Sequence, residues 1–282
     1  RLGRYLPNLI AYADQMLQGP YRSMFTHLET VIHVGGAIVS KRMQTLFNTH
    51  PPNHFIRIAL SPDRLDPAHL VTHRIEYHAN VFDSMAALDT RNADAEWRDD
   101  LVSKSEKLDT FFDEALSGEA LTEPGVLRFV TEHAGKLGGL FLGNSMPIRD
   151  ADMYGSSSGR ATWVYANRGA SGIDGNIATT AGIAEAIHTG GVTAVLGDLA
   201  VLHDLNSLAL LQSNRVVLII INNFGGGIFS MLPVVEHGER VEEFFGTPHD
   251  VLFDSAANMF GIEYVRPASM SDFRTDYLAA LD

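Results

Sequence analysis

Cysteine is absent from the 282 residues, which excludes disulfides and thiolate metal or nucleophile chemistry and fits a reducing compartment. Positive charge is scarce: 21 Lys and Arg against 34 Asp and Glu give a formal net charge of −13. That balance argues against non-specific nucleic-acid binding but leaves room for a local basic site for anionic substrates. No apolar run approaches the roughly 18–20 residues needed to cross a bilayer. The opening RLGRYLPNLI lacks a signal-peptide pattern, so a cytoplasmic protein without membrane partners is expected. Internal repeats and low-complexity tracts are also missing. What remains is ordinary globular material, 45% hydrophobic with a mean hydropathy of +0.01, enough for one large or two modest domains. Because it opens on Arg1, the sequence is expected to lack its natural N-terminus.

The stretch Val192–Phe229 organises the rest. Val192–Leu196 reads as a short strand ending at Gly197-Asp198, Asp204–Gln212 carries leucines at helical spacing, and Val216–Ile221 reads as a strand buried on both faces. A βαβ unit of this kind puts both carboxyl strand ends on one edge. Asp198 then follows one strand, and Asn222-Asn223 follow the other. Either dipeptide alone reads as a turn. Together they suit a hard cation: Mg²⁺ takes about six oxygens at roughly 2.1 Å, a few from protein and the rest from water and phosphates. The Asp198 carboxylate, the Asn223 amide oxygen and the Gly225 carbonyl would leave room for a diphosphate, and Gly225-Gly226-Gly227 permits close backbone approach.

Along the chain, residues 1–30 carry no nameable chemistry. Thr30–Val34 reads as a strand, followed by Gly35-Gly36 and a helix over Val39–Phe47, with Lys41 and Arg42 in its first turn. There the helix dipole already favours anions, although two solvated surface charges fit the stretch about as well. His54–Ala59 and Arg74–Ala79 read as strands and Val81–Leu88 as a helix. His69, His73 and His78 lie close in sequence, but the loop chemistry around Pro67 points to surface histidines rather than zinc. Ala95–Leu116 is an amphipathic helix whose aromatic and leucine stripe is core packing. Thr122 and Pro124 mark the start of another helix.

The second half repeats a strand–loop–helix pattern. Leu140–Leu142 leads into GNSMPIRD, residues 143–150, and Trp163–Ala166 leads into NRGASGIDG, residues 167–175, before a helix over Asn176–His188. Each loop carries an arginine, Arg149 and Arg168, whose planar fork suits carboxylates. A structural salt bridge is the alternative for each, made less attractive by two such loops on the edge that also carries Asp198 and Asn223. The polar run up to His249 reads as a mobile flap. Asp254–Phe260 and Ser271–Leu281 read as helices and Ile262–Val265 as a strand. The expected fold is α/β, with two open parallel-sheet three-layer domains at residues 1–122 and 123–282. The second is expected to be incomplete, because a parallel sheet calls for one more strand.

Gly197-Asp198-Leu199, the segment after it and Asn222-Asn223 resemble the motif of the thiamine-diphosphate decarboxylases and carboligases. GNSMPIRD with ANRGASGIDG, and GGAIVSKR with DRLDP, are similar to one family within it. That family makes 2-succinyl-5-enolpyruvyl-6-hydroxy-3-cyclohexene-1-carboxylate for menaquinone or phylloquinone. The resemblance implies a partial central domain followed by the diphosphate-binding domain. It also implies thiamine diphosphate and Mg²⁺, with Mn²⁺ as an alternative ion, as cofactors. The implied reaction is a decarboxylating, C–C bond-forming transfer that joins 2-oxoglutarate to isochorismate. Asp198, Asn223 and the Gly225 carbonyl would hold the metal, with Gly197 and Leu199 flanking the cofactor. Ile173 matches the bulky residue under the cofactor's bend, a catalytic role shared with Arg168. Ser145, Arg149, Arg168, Lys41 and Arg42 match substrate-contacting positions.

Members of this family form the cofactor site between subunits, so a homodimer or homotetramer is expected. They also carry an activating glutamate in an amino-terminal domain, which places the present sequence as an inactive fragment of an enzyme. The competing readings are an acetolactate-synthase-like carboligase, and a non-catalytic nucleotide-binding module.

Overall fold

The computed structural model describes residues 8–60, 66–76, 94–159, 163–187, 190–212, 215–238 and 240–282. Two compact units emerge, one extending to Thr110 and one running from Phe111 to Asp282. Both are built on parallel sheets, as the α/β expectation required. The helix expected over Val81–Leu88, and His78, lie outside the described residues.

The smaller unit holds β1 (Thr30–Val34), β2 (His54–Ala59) and β3 (His73–Glu76), paired in that order. Helix α1 (Ala13–Met16) and helix α2 (Lys41–Thr49) lie in this unit, and α3 (Ala95–Ala115) carries the chain into the next. Met16, Leu46, Phe47, Phe55 and Leu101 form its core. Ser40 starts α2 one residue before Lys41, its Oγ accepting from the Met43 N–H at 3.0 Å, a side-chain cap of the ordinary kind. The apolar stripe of α3 buries Leu101 and Phe112, whereas Phe111 stays 57% exposed.

The larger unit has strand order β5-β4-β6-β7, all parallel: β4 (Gly138–Leu142), β5 (Trp163–Tyr165), β6 (Gly191–Gly197) and β7 (Val216–Ile221). Its helices are α4 (Glu123–His133), α5 (Met146–Tyr154), α6 (Asn176–Ala186), α7 (Asp198–His203), α8 (Asp254–Met259) and α9 (Met270–Leu281). Strand β6 pairs on both sides, and Val192–Leu196 are buried throughout; unbroken apolar sequence is what such a position demands. Strand β7 was expected to be buried on both faces. Each of its residues is only half-buried, and it is outermost among the described strands.

Two other expectations need correcting. The residues Ile262–Val265 form no strand. Gly261, at φ +65°, closes α8, and the Ile262 N–H bonds back to the Ala257 carbonyl at 2.9 Å, a helix-ending geometry that glycine favours. The helix after β6 begins at Asp198 itself, and the leucines from 205 to 211 lie in a 3₁₀ turn.

The cause lies in Asp204, which sits between the two. Its Oδ2 accepts the Ile177 and Ala178 N–H groups at 2.7 and 3.0 Å, and its Oδ1 accepts the Ser207 hydroxyl at 2.5 Å. Asp204 thus caps α6 from a distance, and the amino end of α6 is already served by a carboxylate. Asp204→Ala is expected to destabilise this unit by about 1–3 kcal/mol, since two charge-assisted bonds go unmade. Urea denaturation of the variant, with Asp204→Asn as the milder control, measures this.

Candidate functional site

Because the strands of the larger unit are parallel, their carboxyl ends share one edge. That edge carries residues 143–150 after β4, 167–175 after β5, Asp198 after β6 and 222–225 after β7.

Asp198 is 2% exposed. Its Oδ1 accepts the Leu199 N–H at 2.6 Å, and its Oδ2 accepts the Gly225 N–H at 3.0 Å. The second bond ties the end of β6 to the loop beyond β7. Gly225 has φ +153°, and a Cβ there would stand 2.5 Å from the Gly246 carbonyl oxygen. Only glycine fits so close a backbone approach. His249 joins this corner, its Nε2 lying 3.3 Å from Asp198 Oδ2, buried and without hydrogen-bond geometry. Sequence reasoning gave His249 no role, because nothing in its local pattern places it beside Asp198.

The two asparagines part company. Asn222 is engaged at both ends of its amide: Nδ2 donates to the Val251 carbonyl at 3.0 Å, and Oδ1 accepts the Phe224 N–H at 3.2 Å. Asn223 donates from Nδ2 to Glu123 Oε1 at 2.9 Å. The Asp198 carboxylate, the Asn223 amide oxygen and the nearby backbone carbonyls are all hard oxygen donors, a set that fits Mg²⁺ or Mn²⁺ better than a thiophilic metal. No cluster of three His, Asp or Glu side chains suited to a metal occurs among the described residues.

A second cluster surrounds the arginines. Arg149 was expected in a loop; it lies inside α5, which begins at Met146. Its Nη1 donates to the Ser145 carbonyl at 2.5 Å. Burial and then the charge of Arg168 pull the Arg149 pKa below its ordinary value, with Asp150 opposing them. The charge of Arg168 is thus felt at Arg149. Arg168 reaches Asn144 Oδ1 at 3.4 Å, while its Nε is buried with no hydrogen-bond partner. Two crowded cations, one with an unmet buried donor, form a site that gains from an anion. Ser145, between strand and helix, has φ +70°, a strained backbone of the kind concentrated at functional sites.

Asn144 and Asn176 were not singled out from sequence. Asn144 Nδ2 donates to the Gly172 carbonyl at 2.8 Å, and Asn176 Nδ2 donates to the Ile173 carbonyl at 2.8 Å. Between them they fix the loop on which half-buried Ile173 sits. Asp150, 1% exposed, has its pKa pushed up to about 7 by burial, by the charge of Glu123 and by a hydrogen bond with Glu123. A carboxyl raised this way favours the fold fully below the ordinary carboxylate range and loses that contribution as pH rises through 7. Asp150→Asn is therefore expected to flatten the fall in stability between pH 4 and 7. It should also raise the thermal midpoint at pH 8 by roughly 4–8 °C, the counterpart of about 2 kcal/mol. Thermal melts across this range check it.

Lys41 and Arg42 lie in the smaller unit, in the first turn of α2, Lys41 exposed and Arg42 paired with buried Asp14 at 2.5 Å.

Comparison with known proteins gives a consistent result. Residues 4–142 match the family described as the middle domain of thiamine pyrophosphate enzymes. The chain is 39% identical over 283 residues to 2-succinyl-5-enolpyruvyl-6-hydroxy-3-cyclohexene-1-carboxylate synthase of Salinibacter ruber, covering 99% of this chain and 48% of that protein. It is 40% identical over 284 residues to the synthase of the same name from Rubrobacter xylanophilus, covering 99% of this chain and 49% of the relative. The chain thus spans about half the length of the relatives it matches.

Proposed function

We propose, for a chain that belongs to the 2-succinyl-5-enolpyruvyl-6-hydroxy-3-cyclohexene-1-carboxylate synthase family of thiamine-diphosphate enzymes, that the whole protein joins 2-oxoglutarate to isochorismate with loss of CO₂. The observation that carries the reading is the gathering, at one sheet edge, of a buried carboxylate tied to a glycine loop and two crowded arginines. Diphosphate and metal need the first, and polyanionic substrates need the second.

When bound, thiamine diphosphate supplies the carbon nucleophile that this exchange of one C–C bond for another requires. The protein's own part is to hold and orient. Asp198, Asn223 and the Gly225 carbonyl would hold Mg²⁺, or Mn²⁺, with the diphosphate, and Gly197 and Leu199 would lie beside it. Ile173 would pack against the cofactor from a loop that Asn144 and Asn176 fix in place. Arg149 and Arg168 clamp carboxylate groups, which orients the reacting carbons and offsets their charge. Ser145 adds a hydroxyl at the same turn. Lys41 and Arg42 offer a further anion contact within the central domain, residues 1–122; residues from 123 onward form the diphosphate-binding domain. A homodimer or homotetramer in the cytoplasm completes the reading. No helix among the described residues is long and apolar enough to cross a membrane.

Full-length protein supplied with thiamine diphosphate and Mg²⁺ should consume 2-oxoglutarate only when isochorismate is also present, releasing CO₂. Turnover of pyruvate in its place would shift the assignment to an acetolactate-synthase-like carboligase.

A further inference from the structure

An asparagine serves a cation through one end of its amide only: Oδ1 can coordinate, and the –NH₂ group cannot. The terminal torsion is soft enough to present either end. We propose that Glu123 is a positioning residue that settles this choice, accepting from the Asn223 –NH₂ group so that Oδ1 is turned to the cation. The inference rests on the metal role given to Asn223 above.

The surrounding geometry supports it. The Asn223 Nδ2 to Glu123 Oε1 contact is 2.9 Å, and it bridges the end of β7 to the first turn of α4, a hundred residues earlier. The amide end that faces Glu123 is the donor end, and a carboxylate oxygen accepts from it. Glu123 is itself anchored: it follows the N-cap Thr122, whose Oγ1 accepts the Gly125 N–H at 3.2 Å, in the turn where the helix dipole favours a negative side chain. Asp150 stands against it. Asn222 offers no substitute, since both ends of its amide are held by backbone groups. Gly227 lies close by: a Cβ there would come within 2.9 Å of Asn223 Nδ2 and would press on the amide.

The test is a double-mutant cycle in the full-length protein, following Mg²⁺-dependent binding of thiamine diphosphate by calorimetry. Glu123→Ala should weaken the Mg²⁺ half-saturation point by roughly 10- to 100-fold, the usual cost of losing an outer partner of a metal ligand. Glu123→Gln should recover most of that, since its Oε1 still accepts. In an Asn223→Asp background, where the carboxylate has two equivalent oxygens and no wrong end, Glu123→Ala should change Mg²⁺ affinity by less than about threefold, or improve it. The metal-free thermal midpoint of Glu123→Ala should not fall, since losing the Glu123 charge eases the burial of Asp150. Unaltered Mg²⁺ dependence in Glu123→Ala, or an equal loss in both backgrounds, would overturn the positioning role. Parent protein that binds cofactor with no Mg²⁺ dependence would instead remove the cation site, and this role with it.

Discussion

Replacing Asp198 by alanine in the full-length protein is expected to leave no measurable Mg²⁺-dependent binding of thiamine diphosphate. Asp198 is the one charged donor in the proposed set, and hard cations depend on anionic oxygen. It is also the group that draws the glycine loop in, through the 3.0 Å bond from the Gly225 N–H. Alanine therefore removes one ligand and unfastens another. A loss of at least 100-fold, about 3 kcal/mol, is the minimum expected in calorimetry. Asp198→Asn keeps one oxygen and should lie between. Because the buried carboxylate also satisfies the Leu199 N–H at 2.6 Å, some loss of metal-free stability, about 1–2 kcal/mol, accompanies the alanine change. An unaltered affinity in the presence of Mg²⁺ would refute the assignment.

Lysine at either arginine should be nearly as damaging to turnover while sparing cofactor binding. A planar guanidinium grips a carboxylate with two parallel bonds, and an ammonium cannot. Arg168 holds a buried Nε with no partner, and Arg149 is crowded by that second cation. The unmet buried donor and the like charge leave both arginines suited to an anion. Arg168→Lys and Arg149→Lys should each lower kcat/KM for 2-oxoglutarate or isochorismate by roughly 30- to several-thousand-fold, equivalent to about 2–5 kcal/mol. Thermal midpoints should hold, because lysine keeps the positive charge at either position. The opposite pattern, lower midpoints with parental kinetics in the folded fraction, would make the arginines structural.

Much of the edge that gathers these residues was legible in the sequence, because its elements announce themselves locally. The run from Val192 to Leu196, the β-branched run Val216–Ile221 and the Thr122 cap each carry a period or a cap that needs no partner to interpret. Local pattern failed wherever a distant group decided the outcome. Asp204 breaks the expected helix over Asp204–Gln212 because its carboxylate is spent on α6, 26 and 27 residues earlier. Arg149 is helical because α5 begins within GNSMPIRD, straight after the strained Ser145. Glu123, Asn144 and His249 left no signal, since each owes its role to a contact with a segment far away in sequence, whereas the Asn176 side chain bonds to the turn just before it.

The sheet also fixes how readily different parts of the site let go. Amide protons in β6, hydrogen-bonded on both flanks and sealed from water, exchange only when the whole unit opens, whereas those of half-buried β7 can exchange through smaller local openings. Asp198 follows the first strand and Asn223 the second. A cation held between them would join the last part of the unit to open with one of the first, so its binding energy would appear chiefly as slower exchange along Val216–Ile221 and the loop beyond, with little change in β6.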